Sequence, residues 1–275
     1  MITRPTHPPA SPAASLAALA ARKATGEKIV ALTAYDYLTA SWLAECPVDF
    51  ILVGDSLGNV IAGYPSTLPV TMDEMVYHTR MVVRGAAHIP VIADMPFLSY
   101  EVTPEDALRN AGRLVKEAGA HGVKIEGGEA DVAAAVKKIV RAHIPVLGHV
   151  GLKPQSVLQL GGYKVQGRTT QAAERIREEA HALQEAGVFA IVLECVPHLL
   201  ARQLTRELSV PTIGIGAGNG CDGQILVTHD LLGWFEPPKK FVKLYAHFRT
   251  EAIRAVTAFA RDVRAGVFPS PRHSF

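Results

Sequence analysis

Short apolar runs recur along the chain, and the stretches between them carry hydrophobic residues at helical spacing. The runs are rich in β-branched and aliphatic residues, which is typical of strands buried on both faces of a parallel sheet. Eight strands are predicted, at residues 29–33, 49–54, 90–94, 122–126, 145–149, 188–194, 211–215 and 224–228. Eight strands that alternate with helices favour a single α/β domain of the (β/α)8 TIM-barrel class. Alternation alone does not show that a sheet closes, so a doubly wound open sheet is the alternative.

The helical stretches begin and end with recognisable capping residues. Thr71 and Glu74 have the spacing of a capping box, and Thr103 precedes a proline as an N-cap residue precedes the first turn. Gly187 stands just past a predicted helix, where a left-handed C-cap belongs. These signals predict separate helices between the strands.

The amino-terminal segment has its own pattern. Residues 13–21 are rich in Ala and Leu and are followed by Arg22 and Lys23. A secretory signal carries its basic group in front of the apolar run, so we expect a short amphipathic helix that caps one end of the barrel. Prolines crowd the residues before it, which predicts a flexible tail over residues 1–14 and a catalytic barrel domain over residues 15–275.

Composition and charge narrow the function classes. The 275-residue chain has a net charge of +2 with basic residues spread along it, which argues against an electrostatic nucleic-acid or membrane partner. No stretch is long and apolar enough to span a bilayer. Three cysteines, at positions 46, 195 and 221, are too few for a disulfide framework and lack the spacing of a zinc site. We therefore expect free thiols and a cytoplasmic location.

Four of the predicted strands end in a single carboxylate: Asp55, Asp94, Glu126 and Glu194. The carboxyl ends of barrel strands surround the active site, and the first three acids follow neighbouring strands. Convergent carboxylates repel one another unless a cation lies between them, and oxygen ligands alone select a hard ion. The pattern predicts a Mg2+ site. The alternative is that each acid caps a helix or is solvated, which three neighbouring strands make less attractive.

Two further groups complete the predicted chemistry. Lys124 lies two residues before Glu126, so both side chains face the same way, and the lysine can orient a substrate carboxylate or steady an enolate. The alternative is that it only neutralises Glu126. Glu194 lies across the mouth and has the position of a general base, or else of a salt-bridged strand end. A metal ion, a lysine and a general base in one site predict enolisation of a 2-oxo acid, followed by aldol-type carbon–carbon bond formation.

Other features of the predicted mouth are less specific. His149 ends the fifth strand and is expected to be a secondary polar contact to the substrate. The connections after Asp55 and His149 run about fifteen and about twenty residues, long enough to suggest binding loops for a bulky second substrate. Gly214–Asn219 resembles a phosphate-cradling turn but has no clear long helix after it, so its role stays open.

Several motifs, in the same order along the chain, closely resemble the ketopantoate hydroxymethyltransferase family. They are Leu32–Asp36, Leu52–Gly58, Ser66–Val70, Val123–Gly128, Gly151–Ser156, Gly161–Gly167, Val192–Val196 and Gly214–Asn219. The resemblance runs from about residue 25 to residues 266–269.

The resemblance implies a TIM barrel that transfers a hydroxymethyl group from 5,10-methylenetetrahydrofolate to 3-methyl-2-oxobutanoate (2-oxoisovalerate) through a Mg-stabilised enolate. The product is 2-dehydropantoate (ketopantoate), a precursor of pantothenate and coenzyme A. It implies these roles: Asp55 and Asp94 as Mg2+ ligands and substrate contacts, Ser56 as a substrate contact, Lys124 as the residue that holds the keto acid, Glu126 as a further metal-site acid, and Glu194 as the proton acceptor. It also implies a large homo-oligomer, usually a decamer.

Two other functions are compatible with such a barrel. A barrel of the phosphoenolpyruvate mutase or isocitrate lyase type also binds Mg2+ and enolate-like ligands, but should show a reactive cysteine in a mouth loop. A non-catalytic metabolite-binding barrel predicts ligand affinity without proton exchange.

Overall fold

The protein is described from a computed structural model, which describes residues 12–160 and 162–275. Eight parallel strands form a closed barrel in the order of the sequence. They are β1 (Ile29–Thr33), β2 (Phe50–Val53), β3 (Val91–Asp94), β4 (Gly122–Glu126), β5 (Val146–Gly151), β6 (Ala190–Glu194), β7 (Thr212–Ile215) and β8 (Gly223–Leu226). The predicted barrel is confirmed, and the doubly wound alternative is wrong because the sheet closes on itself.

Helices alternate with the strands along the described part of the chain. They are α1 (Pro12–Thr25), α2 (Tyr37–Leu43), α3 (Leu57–Val60), α4 (Met72–Gly85), α5 (Pro104–Lys116), α6 (Ala130–Arg141), α7 (Val157–Leu160), α8 (Thr170–Ala186), α9 (His198–Glu207), α10 (Thr228–Leu231) and α11 (Phe248–Arg264). Short 3-10 turns cover Pro154–Ser156 and Pro271–His273. Helices α4, α5 and α8 begin at the threonines that cap them, and α4 has a complete capping box at Thr71.

The barrel interior changes from apolar to polar along the strands. Alternate strand residues face inward. Near the amino-terminal ends these include Phe50, Ile92, Leu147 and Ile213, which form one buried apolar cluster. Towards the carboxyl ends of the strands the inward-facing residues become acidic or basic. The apolar core of the barrel therefore lies at the amino-terminal ends of the strands, and the candidate catalytic residues lie at the carboxyl ends.

Helix α1 closes the apolar end of the barrel. Its residues Leu16 and Leu19 are buried in the same cluster as the inward-facing strand residues. Lys23 of this helix donates to the carboxylate of Asp222, next to β8, at 2.8 Å. The predicted capping helix is therefore confirmed, and it begins at Pro12, within the span expected to be tail. The rest of the predicted tail, residues 1–11, lies outside the described residues.

The two long mouth connections contain more regular structure than the sequence indicated. Helix α3 lies within the connection from Asp55 to Thr71, and a 3-10 turn followed by α7 lies within the connection after β5. Glycines and prolines obscured these single turns, because they reduce helical propensity while still permitting one turn.

The chain divides into a compact unit that ends at Ile225 and a second compact unit, Leu226–Phe275. The second unit contains α10 and α11, and its Trp234 packs edge-to-face against Phe248. Every residue of α11 is exposed or half-buried. Among the helices that the structure describes, none is long and apolar enough to cross a membrane.

Candidate active site

The predicted acids lie at the carboxyl ends of their strands. Asp94, Glu126 and Glu194 are the last residues of β3, β4 and β6, and Asp55 follows β2 by two residues. The strand register pairs Asp94 with Lys124 and Glu126 with His149. Parallel pairing at one level brings these side chains to the same end of the barrel, as predicted.

Lys124 lies between two of the acids. Its ammonium donates to Asp94 Oδ1 at 2.7 Å and to Glu126 Oε1 at 3.3 Å, and all three side chains are buried. Burial disfavours each charge, but the ammonium, together with contacts from His149 and a backbone N–H, lowers the pKa of Glu126 to about 2. Burial lowers the pKa of the Lys124 ammonium, but the negative charges of Asp94, Glu126 and Asp55 have the larger effect and raise it. The lysine therefore bridges Asp94 and Glu126 and favours the ionised form of Glu126.

Asp55 approaches the same cluster from β2. Its backbone N–H donates to Asp94 Oδ2 at 3.0 Å. Burial, followed by repulsion from Asp94 and Glu126, raises the pKa of the Asp55 carboxyl well above its ordinary value. Burial also raises the pKa of Asp94, although Lys124 opposes that change. These two carboxyls are therefore short of compensating positive charge.

This charge deficit fits a divalent cation. When all three are ionised, the buried carboxyls of Asp55, Asp94 and Glu126 carry three negative charges against the single positive charge of Lys124, which leaves a deficit of two. As they stand, no three His, Cys, Asp or Glu side chains within the described residues form a ready-made metal cage. Mg2+ does not require one, because it typically takes one or two carboxylates together with waters and substrate oxygens. The donor set thus suits a hard cation that is held partly by the substrate.

His149 lies between the acid cluster and the predicted base. Its Nδ1 is 3.4 Å from Glu126 Oε1, and its Nε2 is 3.4 Å from Glu194 Oε2. Both ring nitrogens are buried without a well-formed hydrogen bond to any residue that the structure describes. His149 was expected to be a secondary contact, but one imidazole spans the gap from Glu126 to the half-buried Glu194. The position of His149 at a strand end identified it as a candidate site residue. Its location between Glu126 and Glu194 depends on the register of three strands, which the sequence does not show.

Ser56 is held by residues that the sequence did not single out as functional. Its hydroxyl is 2.9 Å from the hydroxyl of Tyr35, which follows β1 and is buried. His78 in α4 approaches the carbonyl oxygen of Tyr35 with Nδ1 at 2.6 Å. Gly54 leaves room for Ser56, because a Cβ at position 54 would lie 2.6 Å from the serine oxygen. The predicted substrate contact is thus held in one orientation.

Two more buried polar residues were missed. Gln155, in the 3-10 turn after β5, donates its amide to Asp55 Oδ2 at 2.9 Å. Tyr100, in the connection after β3, donates its hydroxyl to Gln155 Oε1 at 2.8 Å. Both occur in loops, where no hydrophobic periodicity marks a residue as buried.

The long connection after β5 contacts the end of β6 at two points. The N–H of Leu152 donates to the carbonyl of Glu194 at 2.8 Å, and the N–H of Gln166 donates to the carbonyl of Cys195 at 2.9 Å. Cys195 has a φ of 47°, a left-handed conformation that is uncommon for a residue with a side chain. Partial burial, followed by the charges of Asp55, Glu194 and Glu126, raises the pKa of Tyr163 in this connection. The loop thus lies beside the acids.

The turn Gly214–Asn219 has two left-handed glycines, Gly216 and Gly218. Gln224 donates its amide to the carbonyl of Gly218 at 3.0 Å. The next helix, α10, has only four residues. The structure therefore adds no observation in favour of phosphate binding at this turn.

Comparison with known proteins decides the family. The family model described as ketopantoate hydroxymethyltransferase matches residues 13–271. The chain belongs to the ketopantoate hydroxymethyltransferase family. The 3-methyl-2-oxobutanoate hydroxymethyltransferase of Syntrophus aciditrophicus is 55% identical over 254 residues, covering 92% of this chain and 93% of the relative. The enzyme of the same name from Moorella thermoacetica is 55% identical over 258 residues, covering 94% and 96%. The expected membership of a hydroxymethyltransferase family is confirmed.

Solved structures share the fold of this family member at low sequence identity. Phosphonopyruvate hydrolase superposes with a TM-score of 0.64 and 14% identity, over 97% of this chain and 92% of that one. The same enzyme in complex with oxalate and Mg2+ gives 0.62 and 16%, over 94% and 93%. A 2,3-dimethylmalate lyase of the PEP mutase/isocitrate lyase superfamily gives 0.59 and 16%, over 95% and 92%. These similarities concern the barrel alone, so the rival activity suggested by the fold is not supported by them.

Proposed function

We propose that this protein transfers a hydroxymethyl group from 5,10-methylenetetrahydrofolate to 3-methyl-2-oxobutanoate and forms 2-dehydropantoate for pantothenate and coenzyme A biosynthesis. The observation that carries the proposal is the family match, which spans nearly the whole chain and is joined by relatives that bear the name of this reaction. We further propose that the catalytic domain runs from residue 15 to residue 275; helix α1, which begins at Pro12, extends three residues before it.

The metal of this reaction is proposed to be Mg2+, held by Asp55, Asp94 and Glu126. The charge deficit of two in this buried cluster and its all-oxygen donor set support a hard divalent ion. A barrel with the same fold has been solved with oxalate, a planar dicarboxylate, and Mg2+. When bound, the ion would polarise the keto oxygen of the substrate and so acidify the neighbouring C–H bond.

Lys124, Ser56 and His149 are proposed to bind the keto acid. The ammonium of Lys124 is buried and positively charged, which suits a substrate carboxylate. The hydroxyl of Ser56 is oriented by Tyr35, and His149 has two ring nitrogens without a well-formed bond in the described part of the chain. These groups orient the small substrate beside the acids.

Glu194 is proposed to accept the proton from C3 of the keto acid. It is half-buried at the end of β6 and is separated from Glu126 by the ring of His149. The one-carbon unit is bonded to two folate nitrogens, so both of these C–N bonds break, water supplies the hydroxyl oxygen, and the carbanion at C3 forms a single C–C bond to the carbon. Each folate nitrogen keeps the electron pair of its broken bond and gains a proton, one that originates from C3 and one from the water.

Assembly and location complete the proposal. Helix α11 exposes apolar residues that recur at helical spacing: Ile253, Val256, Phe259 and Val263. An exposed apolar stripe of this kind supports a homo-oligomer, and we propose the decamer that the family resemblance implies. Light scattering on the purified protein tests the assembly. Cys46 and Cys221 are free thiols, which supports a cytoplasmic location.

Deuterium exchange at C3 of 3-methyl-2-oxobutanoate tests the mechanism before any folate is added. We expect the protein with Mg2+ to exchange this hydrogen with solvent, and a chelator to stop the exchange. Glu194→Gln should stop it as well, because an amide cannot accept the proton. Glu185→Gln is the matched control, since Glu185 is exposed on α8.

Two outcomes would contradict the proposal. Substrate binding without exchange in the unmodified protein would favour a non-catalytic metabolite-binding barrel. Exchange that Glu194→Gln leaves at the rate of Glu185→Gln would remove Glu194 from the role of base. Formation of 2-dehydropantoate after addition of 5,10-methylenetetrahydrofolate then tests the complete transfer.

A further inference from the structure

One buried amide joins the acid cluster to the loop that follows β5. Gln155 lies in the 3-10 turn Pro154–Ser156 and is 5% exposed, although residues on both sides of it are partly accessible. A glutamine is rarely buried unless its amide is fully hydrogen-bonded. Its partners are therefore informative about its role.

The side chain of Gln155 uses both of its N–H donors and its carbonyl oxygen. Its Nε2 donates to Asp55 Oδ2 and to the carbonyl of Met95, both at 2.9 Å. Its Oε1 accepts from the hydroxyl of Tyr100 at 2.8 Å. A reversed amide would set its oxygen against two oxygen acceptors, so these three contacts fix one orientation.

The backbone of the same residue holds a second acid. The N–H of Gln155 donates to Glu126 Oε2 at 3.2 Å. Gln155 thus contacts two of the carboxylates proposed to hold the cation: Asp55, which follows β2, and Glu126, which ends β4. The neighbouring Lys153 pairs with Glu129 and, at 3.7 Å, with Glu179, which anchors the turn from its other side.

We propose that Gln155 is a positioning residue that sets the carboxylates of Asp55 and Glu126 for the divalent cation and couples the loop over residues 152–169 to cation binding. The inference rests on the proposed Mg2+ site and adds to it a residue that does not itself ligate. Hydrogen-bond donors to ligating carboxylates hold the ligand in its binding orientation, and loss of such a donor typically lowers metal affinity about 10–100-fold.

Tyr100 strengthens this assignment. Its hydroxyl also lies 3.2 Å from the carbonyl of Glu126, and its ring is buried. Its hydroxyl is the donor in the 2.8 Å contact with Gln155 Oε1. Tyr100, Gln155 and Asp55 therefore form a chain of contacts with one direction of donation.

Cation binding measured by calorimetry with Mg2+, and by electron paramagnetic resonance with Mn2+, tests the proposal on the full-length protein. We expect Gln155→Met to weaken binding at least about tenfold, because it preserves length and removes every donor and acceptor of the amide. Tyr100→Phe should weaken it by a smaller factor, since the amide keeps its donors and loses its anchor. Gln159→Met is the matched control, because Gln159 is exposed four residues away.

Hydrogen exchange provides the second measurement. Saturating Mg2+ should slow amide exchange over residues 152–169 in the unmodified protein, and this slowing should be lost in Gln155→Met even when Mg2+ is raised to saturate the variant. A purely structural glutamine would lower the melting temperature and leave both cation affinity and Mg2+-dependent protection unchanged. That result would overturn the proposal.

The remaining outcomes are also decisive. If the unmodified protein binds neither Mg2+ nor Mn2+, the proposed metal site fails and the role of Gln155 fails with it. If the unmodified protein binds and Gln155→Met matches Gln159→Met, only the role of Gln155 fails. Should Gln155→Met not fold, unchanged cation affinity in Tyr100→Phe would overturn the proposal and reduced affinity would support it.

Discussion

Replacing Lys124 with methionine removes the one positive charge from the buried acid cluster. Methionine has a similar length and no charge, so the substitution leaves the packing of β4 nearly intact. Asp94 and Glu126 then lose contacts of 2.7 and 3.3 Å to the ammonium and remain out of water. We expect a large loss of stability for this reason, because breaking one partner of a buried ion pair leaves an uncompensated charge.

The size of the loss follows from the carboxyl of Glu126. Its pKa falls from 4.5 to about 2 in the folded protein, and Lys124 is the largest of the groups that lower it. At about 1.4 kcal/mol per pKa unit, this shift is worth about 3 kcal/mol. Removing one partner of a buried pair typically costs about 3–5 kcal/mol, which agrees. Because the folded pKa is depressed, this stabilisation is complete above 4.5 and is lost as the pH falls through about 2.

Urea unfolding of the unmodified protein and Lys124→Met, at one protein concentration and with a chelator, measures the loss. We expect about 3–5 kcal/mol at about pH 7.5 and a steadily smaller difference as the pH falls below 4.5. Lys137→Met, an exposed substitution on α6, should stay within about 0.5 kcal/mol. A loss below about 1 kcal/mol at about pH 7.5, or one that does not depend on pH, would refute the reasoning.

Three other changes follow from the same structure. Folding raises the pKa of Asp55 above 3.8, so its carboxyl increasingly destabilises the metal-free protein as the pH rises above that value. Asp55→Asn should therefore raise the melting temperature in chelator at about pH 7.5. The same substitution should abolish the stabilisation of the folded protein by Mg2+, which is about 2.7 kcal/mol at 100 times Kd. Gly151→Ala should reduce hydrogen exchange at C3 of the keto acid with little change in Mn2+ affinity. The reason is that its Cβ would lie 2.4 Å from the carbonyl oxygen of Glu194, at a backbone φ of +97°. Equal losses of C3 exchange and Mn2+ affinity would contradict this. Thr71→Ala should cost about 1 kcal/mol in urea unfolding, because it removes the N-cap of α4, and a loss below about 0.3 kcal/mol would count against that role.

The strands and the acids could be predicted from the sequence because both depend on local pattern. Apolar runs defined eight strands with small errors at their ends, such as β5, which extends to Gly151 instead of residue 149. The period of two placed Lys124 and Glu126 on one face, and the structure joins them at 3.3 Å. Capping residues marked helix starts because a cap acts within a few residues.

Contacts between distant loops could not be predicted in the same way. Gln155 reaches Asp55 across one hundred positions, and nothing in a Pro-Gln-Ser turn indicates that its glutamine is buried. Tyr35 and Tyr100 also follow strand ends, where a tyrosine is usually accessible. His149 was identified by its position, but its approach to both Glu126 and Glu194 depends on the stagger of three strands. These roles could not be predicted because they depend on contacts between residues far apart in the sequence and not on residue type.

Leu16 and Leu19 are buried against the amino-terminal ends of the strands, so both substrates are expected to enter from the opposite end, where the acids lie. Entry from one end favours sequential binding. We expect the keto acid, which is proposed to bind beside Lys124, to bind before the larger folate donor, and ketopantoate to leave after tetrahydrofolate. Steady-state inhibition by tetrahydrofolate and ketopantoate should accordingly show a compulsory order of arrival and release.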